Sequence, residues 1–159
     1  MVQTTSLRDQ IEAYISEIET LVGGIDEENA AARSGEEWSV KENLSHLAGP
    51  PGSGQDSELM AFLTQDMPTI DITPGVSYFD GSRENASVTE LLSEVSSLYR
   101  DLGDWLQELT DEQLDRKAHI PFLKDNTPLD EDQTLREWAG IVVNLHLKGH
   151  VDQIREACS

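Results

Sequence analysis

His146-Leu147-Lys148-Gly149-His150 carries the clearest chemistry in this chain. Histidines four residues apart on a helix stand one turn above each other on the same face. That spacing offers two imidazole nitrogens to one metal ion; the competing reading is a pair of hydrogen-bonded core histidines. A third histidine, His46, closes the segment Trp38-Ser39-Val40-Lys41-Glu42-Asn43-Leu44-Ser45-His46-Leu47. Several sharper motifs are absent. Leu147, not glutamate, follows His146, so the pair is not the zinc-protease helix. Gly49 to Gly54 lacks the Gly-Lys-Ser/Thr ending of a phosphate loop, and Ser53 lacks a nucleophile elbow. The lone Cys158 rules out an internal disulfide framework and argues against a zinc-thiolate site.

The elements that must position these histidines are legible from caps and periodicity. Thr134 and Glu137 have capping-box spacing. Leu135, Trp138, Ala139, Val142, Leu145, His146, Gly149 and Ile154 then recur at helical spacing, so both histidines extend a buried stripe. Ser39 and Glu42 repeat the box and start the helix of His46, which lies at the flank of the Val40, Leu44 and Leu47 stripe. Glu42 is read as a cap, with orientation of His46 as its alternative role. Trp38 is read as a core anchor. Gly49-Pro50-Pro51-Gly52-Ser53-Gly54 interrupts this helix, and a short helix from roughly Gln55 to Asp66 follows. Ser6 caps a first helix whose stripe runs from Leu7 to Val22 and stops at Gly23-Gly24. Ser87 and Glu90 start a third long helix carrying Val88, Leu91, Val95, Leu98, Leu102, Trp105 and Leu109. Thr110 to Gln113 starts a short capped turn. Met67 to Ala86 reads as a long irregular connection, and another loop with His119, Pro121 and Pro128 precedes the last helix. With no convincing alternating strand, the expectation is an all-α four-helix bundle, with long loops between helices 2 and 3 and before the last helix.

Composition narrows the partners. At 159 residues the chain is expected to form one domain, 1–159. Hydrophobic residues at 37% with three Trp argue for a folded protein. A net charge of -20 and a pI near 4.2 leave no electrostatic route to a phosphate backbone or an anionic membrane surface. Neither nucleic acid nor membrane is therefore expected as a partner. No apolar run reaches spanning length and no basic-then-apolar leader opens the chain, so the expected location is cytoplasmic.

Trp38-Ser39, Glu42 and His46-Leu47, followed far downstream by His146, His150, Gln153 and Ile154, resemble the DinB/YfiT-like superfamily of metalloenzymes. The order and separation of the two motifs agree over nearly the whole chain. The resemblance implies a four-helix bundle in which His46, His146 and His150 bind a divalent metal. Three neutral imidazoles suit zinc, nickel or iron and leave coordination positions open. It also implies a small-molecule substrate, a metal-dependent transferase using a low-molecular-weight thiol such as bacillithiol or mycothiol, and a homodimer. Gln153 is a further candidate at the site, and His119 a distant candidate for a fourth ligand. Two features depart from the pattern. Pro50-Pro51 breaks the second helix within about one turn of His46, and the acidic surface fits an anionic thiol poorly unless Lys41, Arg136 and Lys148 form a basic patch. A hydrolase using metal-activated water, or a non-catalytic metal-binding or dimerisation bundle, are the competing functions.

Overall fold

Each main helix begins where a short polar side chain takes up a free amide. The computed structural model describes residues 6–49, 56–72 and 75–159. Helix α1 spans Leu7–Val22, with the Ser6 hydroxyl accepting from the Asp9 amide. It stops at Gly23, and Gly24 turns the chain with φ at +85°, where a side chain would strain the backbone. A short α2, Glu27–Ala31, lies in the acidic connection. Helix α3, Val40–Ala48, opens with a complete capping box between Ser39 and Glu42. It ends at Gly49, whose φ of +73° suits glycine; Pro50, Pro51 and the rest of the expected break to Gly54, with Gln55 and Pro74, lie outside the described residues. Helix α4, Asp56–Thr64, follows, then a 3₁₀ turn Gly81–Asn85 and the long α5, Val88–Glu108, capped by Ser87. Thr110 and Gln113 box the single turn α6, Asp111–Leu114.

Around the core, α1 packs on α5, α5 on α3, α3 on α9 (Lys148–Ala157), and α9 back on α1. This closed ring is the expected four-helix bundle. Ile11, Ile15 and Ile18 of α1, Leu44 and Leu47 of α3, Leu91, Val95 and Tyr99 of α5, and Val151 and Ile154 of α9 fill it. Burying each such aliphatic side chain contributes roughly 1.5–3 kcal/mol.

Two stretches differ from the sequence expectation. Before the last helix the chain forms an antiparallel ribbon, β1 (Lys117–His119) against β2 (Asp132–Thr134), with helix α7 (Pro121–Asn126) between the strands. Thr69 bridges to His119, tying the first long connection to this ribbon. Three-residue strands are too short to show alternation in a sequence.

The last helix is the second difference. It runs as α8 (Leu135–Ile141), a π-helical turn (Val142–Leu147) and then α9. Among its buried positions Leu135, Ala139, Val143, Leu147 and Val151 run in steps of four, with Trp138 and Ile154 beside them. In an α-helix of 3.6 residues per turn, steps of four drift by about 40° each, about 160° over this run. A π turn takes more residues per turn and recovers part of that drift. The stripe expected through Val142 and Leu145 is therefore displaced, and Leu145 is 61% exposed. His146 lies inside the π turn, a feature that concentrates at functional sites.

Candidate metal centre

Helix α3 contributes His46, and the π turn and α9 contribute His146 and His150. Their rings converge, with centroids 5.0 Å apart for His46–His146, 4.5 Å for His46–His150 and 4.8 Å for His146–His150. One ring nitrogen from each lies within 4.8 Å of the others. Two 2.1 Å bonds at a tetrahedral angle place their nitrogens about 3.4 Å apart, so at its widest the set must close by about 1.4 Å to share one ion. Among the described residues, this is the cluster of histidine, cysteine, aspartate and glutamate donors close enough to share an ion.

The hydrogen bonds fix which nitrogens are free. His46 Nδ1 lies 2.5 Å from the Val76 carbonyl oxygen, which can only accept. Nδ1 therefore carries the proton and Nε2 keeps its lone pair. His150 Nδ1 lies 2.8 Å from Asn43 Oδ1. The Asn43 amide nitrogen donates to the Ser39 and Trp38 carbonyls at 3.1 and 3.5 Å, which orients the amide with its oxygen toward His150. His150 thus also presents Nε2 as the free nitrogen. Such partners set tautomer and ring orientation at metal sites. Burial holds His146 at a pKa of about 4, helped by the neighbouring His46. Burial first, then His146 and His46, bring His150 to about 3. Both rings are neutral at pH 7, the state a metal ligand needs.

The rings face a cavity of about 890 Å³ that also exposes Trp38, Tyr78, Trp138 and Gln153. Trp38 is not the core anchor expected. It is half-buried and stacks on His150 at 6.0 Å and 14°, with its centroid 5.1 Å from His46. The ring packs on the histidines because Ser39 starts α3 directly after it, leaving Trp38 beside the site. Tyr78 stacks on His46 at 6.4 Å and 12° with φ at +56°. A non-glycine residue in that region is backbone strain located at the site.

The remaining candidates sort clearly. Glu42 caps α3 and pairs with Arg33, and His46 turns its second nitrogen to Val76 instead. Gln153 lines the cavity beside the three histidines. His119 sits on the ribbon, 2.7 Å from Asp132, apart from the three histidines. The basic patch does not form: Lys41 pairs with Glu27, Lys148 with Asp152, and Arg136 with Asp111 and Asp115. None of the three lines the cavity. Cys158 is half-buried, and burial pushes its thiol up, away from thiolate reactivity. Sequence reasoning missed Asn43 as a partner; a polar amide on the buried side of α3 was its one visible signal. Val76 has no sequence signal, since its carbonyl does the work.

The donor set fits a divalent metal: three neutral imidazoles, two with their second nitrogens tied down, beside a space that leaves coordination positions open. No helix among the described residues is long and apolar enough to cross a membrane. None of the curated proteins compared matches the chain. Among solved structures, YfiT from Bacillus subtilis, described as a probable metal-dependent hydrolase with an unusual four-helix bundle topology, is similar over 99% of this chain and 90% of its own. The TM-score is 0.72 at 20% identity. A protein from Streptococcus pneumoniae is similar over 98% and 92%, with a TM-score of 0.64 at 14% identity. These likenesses establish the fold. The family model of the DinB superfamily matches residues 10–154, and the chain is a member of that superfamily.

Proposed function

We propose that this protein is a divalent-metal-dependent enzyme acting on a small-molecule substrate, with His46, His146 and His150 as the metal ligands, and that its reaction is hydrolysis. The observation that carries the reading is the convergence of three neutral imidazoles, two in a fixed tautomer, on a cavity large enough for a small molecule. A closed structural site would wall that space off. His46, His146 and His150 would hold a divalent cation there, which would supply Lewis acidity for activating water and polarising the bond to be broken.

The chain's own residues prepare this chemistry. Asn43 and the Val76 carbonyl hold the His150 and His46 rings in place before anything binds, so little ordering is left to do. Trp38 covers one side of those rings and keeps bulk water off it. The thiol-linked transfer that the family resemblance implies calls for cations to hold the carboxylates of such thiols. Among the described residues the cavity is lined by Glu36, Glu37 and Glu58 and by no lysine or arginine, which favours water as the nucleophile.

The test is reconstitution with zinc, nickel or iron(II), followed by screening of chromogenic esters, amides and phosphoesters with and without added thiol. Metal-dependent turnover that needs no thiol and falls at least about 100-fold in His46→Ala is expected. Turnover only in the presence of a thiol would replace hydrolysis by transfer. Equal turnover in His46→Ala would end the reading.

A further inference from the structure

The charge around the cavity is one-sided. Glu36, Glu37 and Glu58 line it, and none of them forms an ion pair among the described residues. Cations are instead committed elsewhere. Of the 11 lysines and arginines, Arg8, Arg33, Lys41, Arg83, Arg100, Arg116, Arg136, Lys148 and Arg155 each pair with a carboxylate. The other two, Lys117 and Lys124, do not line the cavity.

The walls are apolar and aromatic, with Tyr78, Phe122 and Trp138 among them. Aromatic faces attract ammonium groups as well as apolar surface. The indole N–H of Trp138, a residue only 7% exposed, is buried and finds no acceptor among the described residues, which leaves a donor for an acceptor on a bound molecule. The chain's net charge of -20 adds a long-range field that draws cations and repels anions. Cavity, wall chemistry and charge point the same way.

We infer that the substrate is a cationic amphiphile: an amine with an aromatic or aliphatic body that lies on the Tyr78, Phe122 and Trp138 walls, its ammonium balanced by Glu36, Glu37 and Glu58. This specifies the substrate of the site proposed above and rests on that proposal for the reaction, though not for the binding. An anionic molecule of the same shape would meet three uncompensated carboxylates.

The experiment uses the full chain stripped of metal with EDTA, so that direct coordination plays no part. Trp38 and Trp138 both line the cavity, and their fluorescence reports binding of 3-phenylpropylamine, 3-phenylpropanol and 3-phenylpropionate. At low salt the amine is expected to bind about tenfold or more tighter than the carboxylate, with the alcohol between them. Because the acids lie near solvent, the difference shrinks at about 1 M salt. The triple variant Glu36→Gln, Glu37→Gln, Glu58→Gln brings amine and carboxylate to within about twofold while leaving the alcohol unchanged. Equal or tighter binding of the carboxylate overturns the inference, as does a preference that survives in the triple variant. So does a lack of saturable binding by all three ligands at millimolar concentration. Metal uptake, measured separately, decides the metal reading: an amine preference without metal uptake leaves this inference standing and removes the other.

Discussion

Asn43→Leu isolates the hydrogen bond that prepares His150. Leucine matches asparagine in size but offers no acceptor, and the site is fully buried. The imidazole loses its 2.8 Å partner at Nδ1, and nothing then fixes which nitrogen carries the proton. Losing such an outer partner costs about 10- to 100-fold in metal affinity, or about 1.4–2.7 kcal/mol. The same change frees the Ser39 and Trp38 carbonyls from the amide nitrogen and costs a further 1–3 kcal/mol or so of fold stability. The two effects separate by experiment. Thermal unfolding of metal-free protein reads the second, and competition against a fluorescent zinc chelator well below the transition reads the first. Wild-type zinc affinity in a folded Asn43→Leu variant would refute the tautomer argument and reduce Asn43 to a helix-packing residue.

Glu42→Gln lowers stability by about 1 kcal/mol through loss of the charged pairing with Arg33. That is a fall of about 2–4 °C in Tm, and metal affinity stays unchanged because Glu42 does not touch His46. Arg83→Met loosens the end of α3, since the buried guanidinium donates to the Ser45 and Gly49 carbonyls. A loss of about 1–3 kcal/mol in chemical denaturation is expected. Acid unfolding of metal-free protein follows from the depressed histidines. His146 and His150 titrate near 6.5 when unfolded but at about 4 and about 3 when folded. The unfolded chain thus binds more protons as the pH falls, and stability is lost from about pH 6.5 downward, levelling off near pH 3. Glu42, held low by Arg33, adds to the loss at the acid end. Stability flat between pH 7 and pH 4.5 would show that the rings are not desolvated.

Local chemistry explains what could be read in advance. The boxes at Ser39/Glu42, Thr110/Gln113 and Thr134/Glu137 set helix starts within a few residues of chain, and all three form. With those starts fixed, helical spacing carries His46, His146 and His150 to matching faces, and the bundle brings them together. What was illegible depends on distant packing. His150 finds Asn43 across 107 residues, and His46 finds a backbone carbonyl 30 residues away. Trp38 was read as core because an indole beside an amphipathic helix usually is, yet its neighbours turned out to be the histidines. The π turn did leave a trace in the four-residue steps from Leu135 to Val151, which a 3.6-residue template reads as noise.

Metal content of untagged protein by mass spectrometry, for wild type and His146→Ala, tests the central claim most directly. One divalent ion per chain is expected in wild type after incubation with zinc, nickel or iron(II), and its loss in the variant with the helical content unchanged. A wild type that stays empty, or a variant that retains the ion, would contradict it.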